Sequence, residues 1–298
     1  MAGRFYLIPQ SRGLLQIAGD DRRSYLQGLA SNDVTLVDGG RAIYAGLLTA
    51  QGRFLHDFFV AELDGKFYLD AEAGRIDDLK RRLSLYRLRS KVTLTAPIET
   101  HRVAVLFGEA VLRSLDLPDD AGRAKAFAGG VVFVDPRLST LGARAILPTD
   151  RLGALENAGF VPGDPGAYEE LRLALGVPDG SRDLPIEKAL LLENGFDELH
   201  GVDWKKGCYV GQELTARMKY RALVRKRLMP VRVDGKLPQP GTPIMLGDQE
   251  AGEMRSGRGQ LGLALLRLDM VEQAEREARH LTADGAALTP IRPAWAGF

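Results

Sequence analysis

The stretch Trp204–Arg227 concentrates the side chains most suited to chemistry. Cys208 is the single cysteine of the chain, and Lys205, Lys206, Arg217, Lys219, Arg221, Arg225, Lys226 and Arg227 surround it in sequence against one acid, Glu213. A partly exposed thiol among cations should have its thiolate stabilised and its pKa lowered, which is the form that attacks electrophiles and binds metals. Gly207 and Gly211 permit a tight turn and close approach of another molecule to the backbone. Gln212 and Glu213 would cap the helix that follows or bind an amide-rich ligand. A lone cysteine is more often an inert buried hydrophobe, and a cationic run is more often a solvated helix face. The coincidence of thiol, cations and two glycines inside nine residues favours the chemical reading.

Two further features carry ionisable groups. In Arg53-Phe54-Leu55-His56-Asp57-Phe58-Phe59-Val60-Ala61, strand periodicity puts Asp57 on the face of Leu55, Phe59 and Ala61. A carboxyl there is desolvated unless paired, so it either exchanges a proton with a polar ligand or is satisfied by backbone amides or an arginine. The run Lys80, Arg81, Arg82, Arg87, Arg89, Lys91 forms a basic stripe, solvated by default and otherwise suited to RNA or a polyglutamate tail. Asn32-Asp33 reads as a turn or cap.

Those groups need elements to position them. Arg4–Ile8 and Leu14–Ala18 read as short strands around Pro9 and Gly13. Gly19-Asp20-Asp21 opens a helix bearing Tyr25, Leu26 and Leu29, with Asp20 the expected N-cap. Arg41–Thr49, Arg53–Leu63 and Lys66–Asp70 form a β-meander with a hairpin signal at Asp64-Gly65. The spacing of Ile76, Leu79 and Leu83 predicts a helix over Arg75–Tyr86. Strands follow at Lys91–Thr95 and Arg102–Phe107, then a helix around Glu109–Leu115 and strands at Val131–Val134 and Ala143–Leu147. Helices at Arg151–Ala158 and Ala167–Leu175 precede a loop-like stretch, 177–203. From Lys226 onward, Pro230, Pro238, Pro240 and Pro243 punctuate short apolar runs, predicting a small β-barrel or sandwich. The irregular alternation of strands and helices predicts an α+β fold.

Composition narrows the function classes. The chain has 298 residues, 40 basic and 39 acidic, for a net charge of +1. That length suits two or three domains, and the charge balance excludes a globally basic nucleic-acid binder. Apolar runs fall far short of the ~20 residues that cross a bilayer, and the start lacks a secretory signal core. A cytoplasmic protein without membrane contact is expected. One cysteine rules out an intrachain disulfide, and with it any zinc site or iron–sulfur cluster held by this chain's thiolates alone. Walker, dinucleotide and nucleophile-elbow motifs are absent.

Lys-Gly-Cys-Tyr-Val-Gly-Gln-Glu, Lys206–Glu213, resembles the signature of the YgfZ family, folate-binding proteins related to the glycine cleavage T-protein. Tyr25–Leu29, Ser31–Val34 and Tyr44–Arg53 resemble the family's N-terminal patterns. Arg172, Gly176, Pro178, Arg182–Pro185, Gln212–Arg217 and Arg225–Leu228 are similar to the version found in its mitochondrial iron–sulfur assembly branch. The resemblance implies a three-lobed T-protein-like fold. A folate-binding region would span 1–222 (lobe one 1–45 with 150–222, lobe two 46–149), and a C-terminal β-barrel 223–298. It implies a tetrahydrofolate-binding accessory protein for iron–sulfur cluster assembly or repair, including clusters of the radical enzymes that thiolate tRNA. Its partners would be assembly proteins and client cluster enzymes, with an indirect link to tRNA. Cys208 takes the catalytic role by the same resemblance. Asn32, Tyr44, Asp57, Asp70, Arg172, Lys206, Gly207, Tyr209, Gly211, Gln212 and Glu213 are assigned to the cofactor, and no residue to a metal. One departure concerns Leu171–Gly176, where relatives place an acid against the pterin and this chain has Ala174. The missing charge-assisted hydrogen bond is worth roughly 1.5–3 kcal/mol. A glycine-cleavage aminomethyltransferase and an RNA-binding module are the alternatives.

Overall fold

The computed structural model describes residues 3–97 and 99–298. Along the chain run β1 (Arg4–Leu7), β2 (Arg12–Ala18), α1 (Arg22–Gln27), β3 (Ile43–Leu48), β4 (Phe54–Leu63), β5 (Lys66–Glu72), α2 (Ile76–Leu85) and β6 (Thr93–Thr95). Next come β7 (His101–Gly108), α3 (Val111–Ser114), β8 (Ala124–Phe127), β9 (Gly130–Val134), β10 (Ala143–Pro148), α4 (Ala154–Asn157), β11 (Val161–Pro162), α5 (Pro165–Ala174) and α6 (Gly180–Asp183). The chain closes with α7 (Gln212–Tyr220), β12 (Lys226–Asp234), β13 (Pro243–Leu246), β14 (Gln249–Arg258), β15 (Leu261–Arg267), α8 (Leu268–Arg276), β16 (Leu281–Ala283) and β17 (Ala286–Pro290).

Two units result. The first comprises the chain up to Leu48, Leu55–Pro165 and Leu199–Val210. It holds a six-stranded sheet, β11-β1-β7-β10-β9-β8, and a five-stranded sheet, β3-β4-β5-β2-β6. The second comprises Thr49–Phe54, Gly166–Glu198 and Gly211–Phe298, and holds a closed barrel, β12-β15-β14-β13-β16-β17. Strands and helices are mixed without a repeating βαβ order, so the α+β reading stands, as does the C-terminal barrel.

Local chemistry explains the elements that position the site. Asp64 and Gly65 both sit at positive φ, 50° and 69°, the two-residue turn whose twist matches its flanking strands. It sets β4 against β5 with Leu63 opposite Lys66 and Phe59 opposite Asp70. On α2, Ile76, Leu79 and Leu83 are buried against β-sheet residues such as Leu15, Phe58 and Leu69, as the helical spacing requires. In the barrel, inward residues including Met229, Val231, Ile244, Leu266 and Leu288 form a separate core closed by Met270, Val271 and Ala274 of α8.

Three local expectations are corrected. The residue before α1 is Asp21, not Asp20, and it makes no side-chain cap; its Oδ2 accepts the Lys91 backbone N–H at 2.7 Å. Strand β8 falls in sequence to which no element is assigned above, joined to β9 through Ala128 and Gly129, both at positive φ. The helices expected over Arg151–Ala158 and Glu109–Leu115 are the short α4 and α3.

His56 of β4 is almost fully buried and lies 2.9 Å from Asp78 Oδ2 on α2. Burial and the nearby Arg75 guanidinium push its ring from 6.5 down to about 4, with Asp78 pulling the other way. Asp78, despite desolvation, is held well below the carboxylate range by Arg82, Arg81 and His56. The unfolded chain therefore binds a proton at this imidazole that the folded chain refuses. The resulting stability is complete above pH 6.5 and is lost as pH falls toward 4, by the order of 3 kcal/mol. Urea midpoints at pH 7 and pH 5 should differ less for His56→Gln than for wild type.

Candidate functional site

Leu199–Val210 lies along the end of α1 and the loop after it. Ser31 Oγ donates to the Gly201 carbonyl at 2.5 Å, and the Asp203 N–H donates back to the Ser31 carbonyl at 3.1 Å. Asn32 Nδ2 donates to the carbonyls of His200 (2.7 Å) and Tyr44 (2.8 Å), while its Oδ1 accepts the Asp33 N–H. The Val210 N–H donates to the Gly28 carbonyl at 3.1 Å. Lys206 Nζ donates to the carbonyls of Gln27, at 2.6 Å, and Ala30. Those oxygens belong to the turn in which a helix leaves its last carbonyls unpaired and its dipole favours a cation. Lys206 is thus a side-chain cap for a helix far away in sequence. Its burial pushes the ammonium down to about 8, with the carboxylates of Asp33 and Asp203 acting in the opposite direction.

The octapeptide divides into anchors and a tip. Lys206 is tied to α1, Tyr209 is buried under the Lys206 ammonium at 5.0 Å from its ring centre, and Val210 packs on the core of the first unit. Gly207 and Gly211 take φ of 71° and 82°, conformations that side chains with a Cβ adopt at a cost. Cys208, between the anchors, is exposed. Four of the eight cations that surround the thiol in sequence have partners of their own. Lys206 turns inward, Arg217 pairs with Glu213 at 2.5 Å, Lys219 with Asp197, and Arg227 with Glu198 at 3.0 Å. Gln212 and Glu213 open α7 in the second unit, and Gly52 there has no room for a side chain against Gly211 and Leu214.

Asp57, Tyr44 and Asp70 belong to a buried polar cluster in the first unit. Tyr44 Oη donates to Asp57 Oδ2 at 3.0 Å; burial first, then this carboxylate, raises the phenol well above its ordinary value. Asp70, fully buried on β5, accepts from Arg12 Nε at 2.7 Å and from Arg144 Nε and Nη2 at 2.9 and 2.5 Å. Arg144 lies on β10, so this pair joins the two sheets of the unit. Arg137 grips Asp135 through two bonds of 3.0 and 2.9 Å, and Arg144 approaches the same carboxylate at 3.7 Å. Burial alone would raise Asp135, but the Arg137 and Arg144 guanidiniums hold it low. The guanidiniums of Arg12, Arg137 and Arg144 lie 5.6, 4.8 and 4.0 Å from the Phe59 ring centre. Three arginines thus balance Asp57, Asp70 and Asp135 around one aromatic ring.

Arg12, Asp135, Arg137 and Arg144 were not singled out from sequence. Arg144 alone left a signal, a charge inside the apolar strand Ala-Arg-Ala-Ile-Leu. In the second unit, Arg172 is likewise committed. It pairs with Asp183 at 2.9 Å and Glu169 at 2.6 Å and donates to Ser256 Oγ of β14 at 2.8 Å. Ala174, by contrast, is exposed on α5.

Two predictions separate structural from functional roles. Asp70→Asn removes the carboxylate shared by the Arg12 and Arg144 guanidiniums and should lower unfolding free energy by about 3–5 kcal/mol in urea titrations. Lys206→Met removes the cap of α1 and should speed hydrogen exchange at the amides of Asp203 and Val210, which wild type protects through the Ser31 and Gly28 carbonyls.

Comparison with known proteins adds kinship to this geometry. Residues 225–298 match the family described as the CAF17 C-terminal beta-barrel domain. The chain is 33% identical over 312 residues to the mouse protein named iron-sulfur cluster assembly factor IBA57, mitochondrial, covering 95% of this chain and 83% of that one. The human protein of the same name is 37% identical, covering 86% and 75%. Among solved structures, the glycine cleavage system aminomethyltransferase T from Bartonella henselae superposes with a TM-score of 0.77 at 16% identity, over 99% of this chain and 87% of that one. The fold is therefore the aminomethyltransferase T fold, as the resemblance implied. These relatives carry the name IBA57 rather than YgfZ, which sharpens the resemblance. The cytoplasmic expectation is overturned, because the relatives are named mitochondrial and point to the mitochondrion. A lack of long apolar runs bears on bilayer crossing and secretion; mitochondrial addresses are amphipathic instead.

Proposed function

The chain belongs to the IBA57 family of iron–sulfur cluster assembly factors, and from that premise we propose that it serves cluster assembly through the thiol of Cys208. The supporting observation is the presentation of that sulfur, exposed between three anchored neighbours. Iron–sulfur clusters are held by several thiolates, commonly four. A chain with one cysteine meets a cluster, as cargo, only together with ligands from a second molecule. The partners are therefore assembly proteins and client cluster enzymes that approach this loop. Enzymes that modify tRNA through radical chemistry are included among the clients on the resemblance, and their tRNA products in a deletion strain are the readout.

Tetrahydrofolate is the ligand the resemblance attaches to this fold. Four of the residues it assigns have their polar groups committed within the protein, which disfavours their direct contact with a pterin. Asn32 has both donors and its carbonyl oxygen engaged, Asp70 faces two guanidiniums, Arg172 bridges two carboxylates and a serine, and Lys206 caps α1. Aminomethyl transfer is disfavoured further by Ala174, which offers no carboxylate.

Cys208→Ser changes an exposed side chain, so stability should stay within about 0.5 kcal/mol of wild type, while complementation of cluster-enzyme activities in a deletion strain is lost. Full complementation by the variant would remove the thiol from the function. Reduced folate titrated calorimetrically should give the same heat curve with Asp57→Asn as with wild type; binding weakened by about tenfold would return that carboxylate to a ligand site.

A further inference from the structure

The second unit contains a cleft that the cluster-assembly reading does not use. It has a volume of 410 Å³ and is lined by Arg53, Lys188, Lys226 and Arg255, with Glu193 and Glu253 among them. That volume lies in the range of small-molecule sites. Four cations against two carboxylates leave an excess of two positive charges. In a concave wall of low polarisability such an excess focuses the field and raises the local concentration of anions.

Three stretches singled out in the sequence converge here. Arg53 ends Tyr44–Arg53, Pro185 ends Arg182–Pro185, and Lys226 lies in Arg225–Leu228. Their neighbours have structural duties: Arg227 pairs with Glu198 and donates to the Leu192 carbonyl at 2.8 Å, and Arg182 pairs with Glu169 and Asp179. Arg53 is oriented by donating from Nη1 to the Lys188 carbonyl at 3.0 Å.

Two lining residues also hold buried polar atoms behind the surface of the cleft. Arg255 is 8% exposed and spends Nη1 on Glu253, while its buried Nε finds no partner among the described residues. Asn194, 2% exposed, donates from Nδ2 to the Leu190 carbonyl at 2.8 Å, and its Oδ1 is likewise without a partner among the described residues. Leaving such an atom unsatisfied is unfavourable. Glu193 is desolvated in the same wall, and that burial raises its carboxyl against the pull of Lys226 and Arg53. A carboxylate in this position opposes the field of the four cations.

We propose that this cleft binds a small polyanion through phosphate or carboxylate groups, held by Arg53, Lys226 and Arg255 and tempered by Glu193. The cleft is built from residues of the second unit and the Cys208 loop belongs to the first, and the test of the cleft does not depend on cluster assembly. The full chain is titrated calorimetrically at fixed ionic strength with pyrophosphate and, separately, with citrate. Saturable one-to-one binding is expected with at least one: pyrophosphate alone assigns phosphate, citrate alone assigns carboxylate, and both assign the shared oxyanion chemistry. Lys226→Gln should weaken binding by about tenfold or more, and Glu193→Gln should strengthen it severalfold, a gain that loss of structure would not produce. Should Lys226→Gln fail to fold, Arg53→Gln takes its place. Absence of saturable binding with either anion, or affinity unmoved in both the cation and the Glu193 variants, overturns the proposal.

Discussion

A buried ammonium group holds the loop that carries the single thiol. Lys206 reaches the carbonyls that α1 leaves open at its end, and by doing so fixes Gly207 and Cys208 against a rigid element. Desolvating an ammonium is unfavourable, and the compensation comes from those charge-assisted bonds and from the helix dipole. The Ser31, Asn32 and Gly28 contacts extend the same attachment on both sides. Remove the attachment, and the sulfur becomes one conformer among many on a glycine-flanked loop.

A second constraint is the balance of charge around Phe59. Buried ion pairs are weak net contributors to stability but expensive to break on one side. Asp70 and Arg144 join strands from two sheets, so their registry fixes where Tyr44 and Asp57 stand. Asp70, assigned from sequence to a ligand, also joins the two sheets through Arg144. The same types of side chain serve either purpose, and only the partner decides which.

That ambiguity sets how much was legible beforehand. The meander β3-β4-β5, its Asp64-Gly65 turn, α2 and the barrel were readable, because periodicity and turn chemistry act over neighbouring residues. Strand β8 escaped, since Ala-Lys-Ala-Phe has little β-propensity of its own and is held by pairing with β9. The exposure of Cys208 was a condition of the chemical reading rather than a deduction from the sequence, and the fold meets it. Its electrostatic setting did not follow: Lys206 is two residues away in the chain, yet its charge is delivered to Gln27 and Ala30. Likewise, 74 residues separate Asp70 from Arg144, and no local pattern announces such a pair.

The placement of one sulfur has a consequence for how a cluster would be handled. A chain with several thiolates retains a cluster, whereas a chain with one contributes a single bond that is formed and released as a partner supplies the rest. For that exchange the sulfur must be outside the core, reachable by a second protein, and held in few conformations so that ordering it costs little on encounter. Exposure alone meets the first two demands and defeats the third. The anchors at Lys206, Tyr209 and Val210 reconcile them, fixing the backbone on either side while leaving the thiol in solvent. On the proposed reading, the conspicuous octapeptide therefore works by presentation, and Lys206 contributes by where it is tied down.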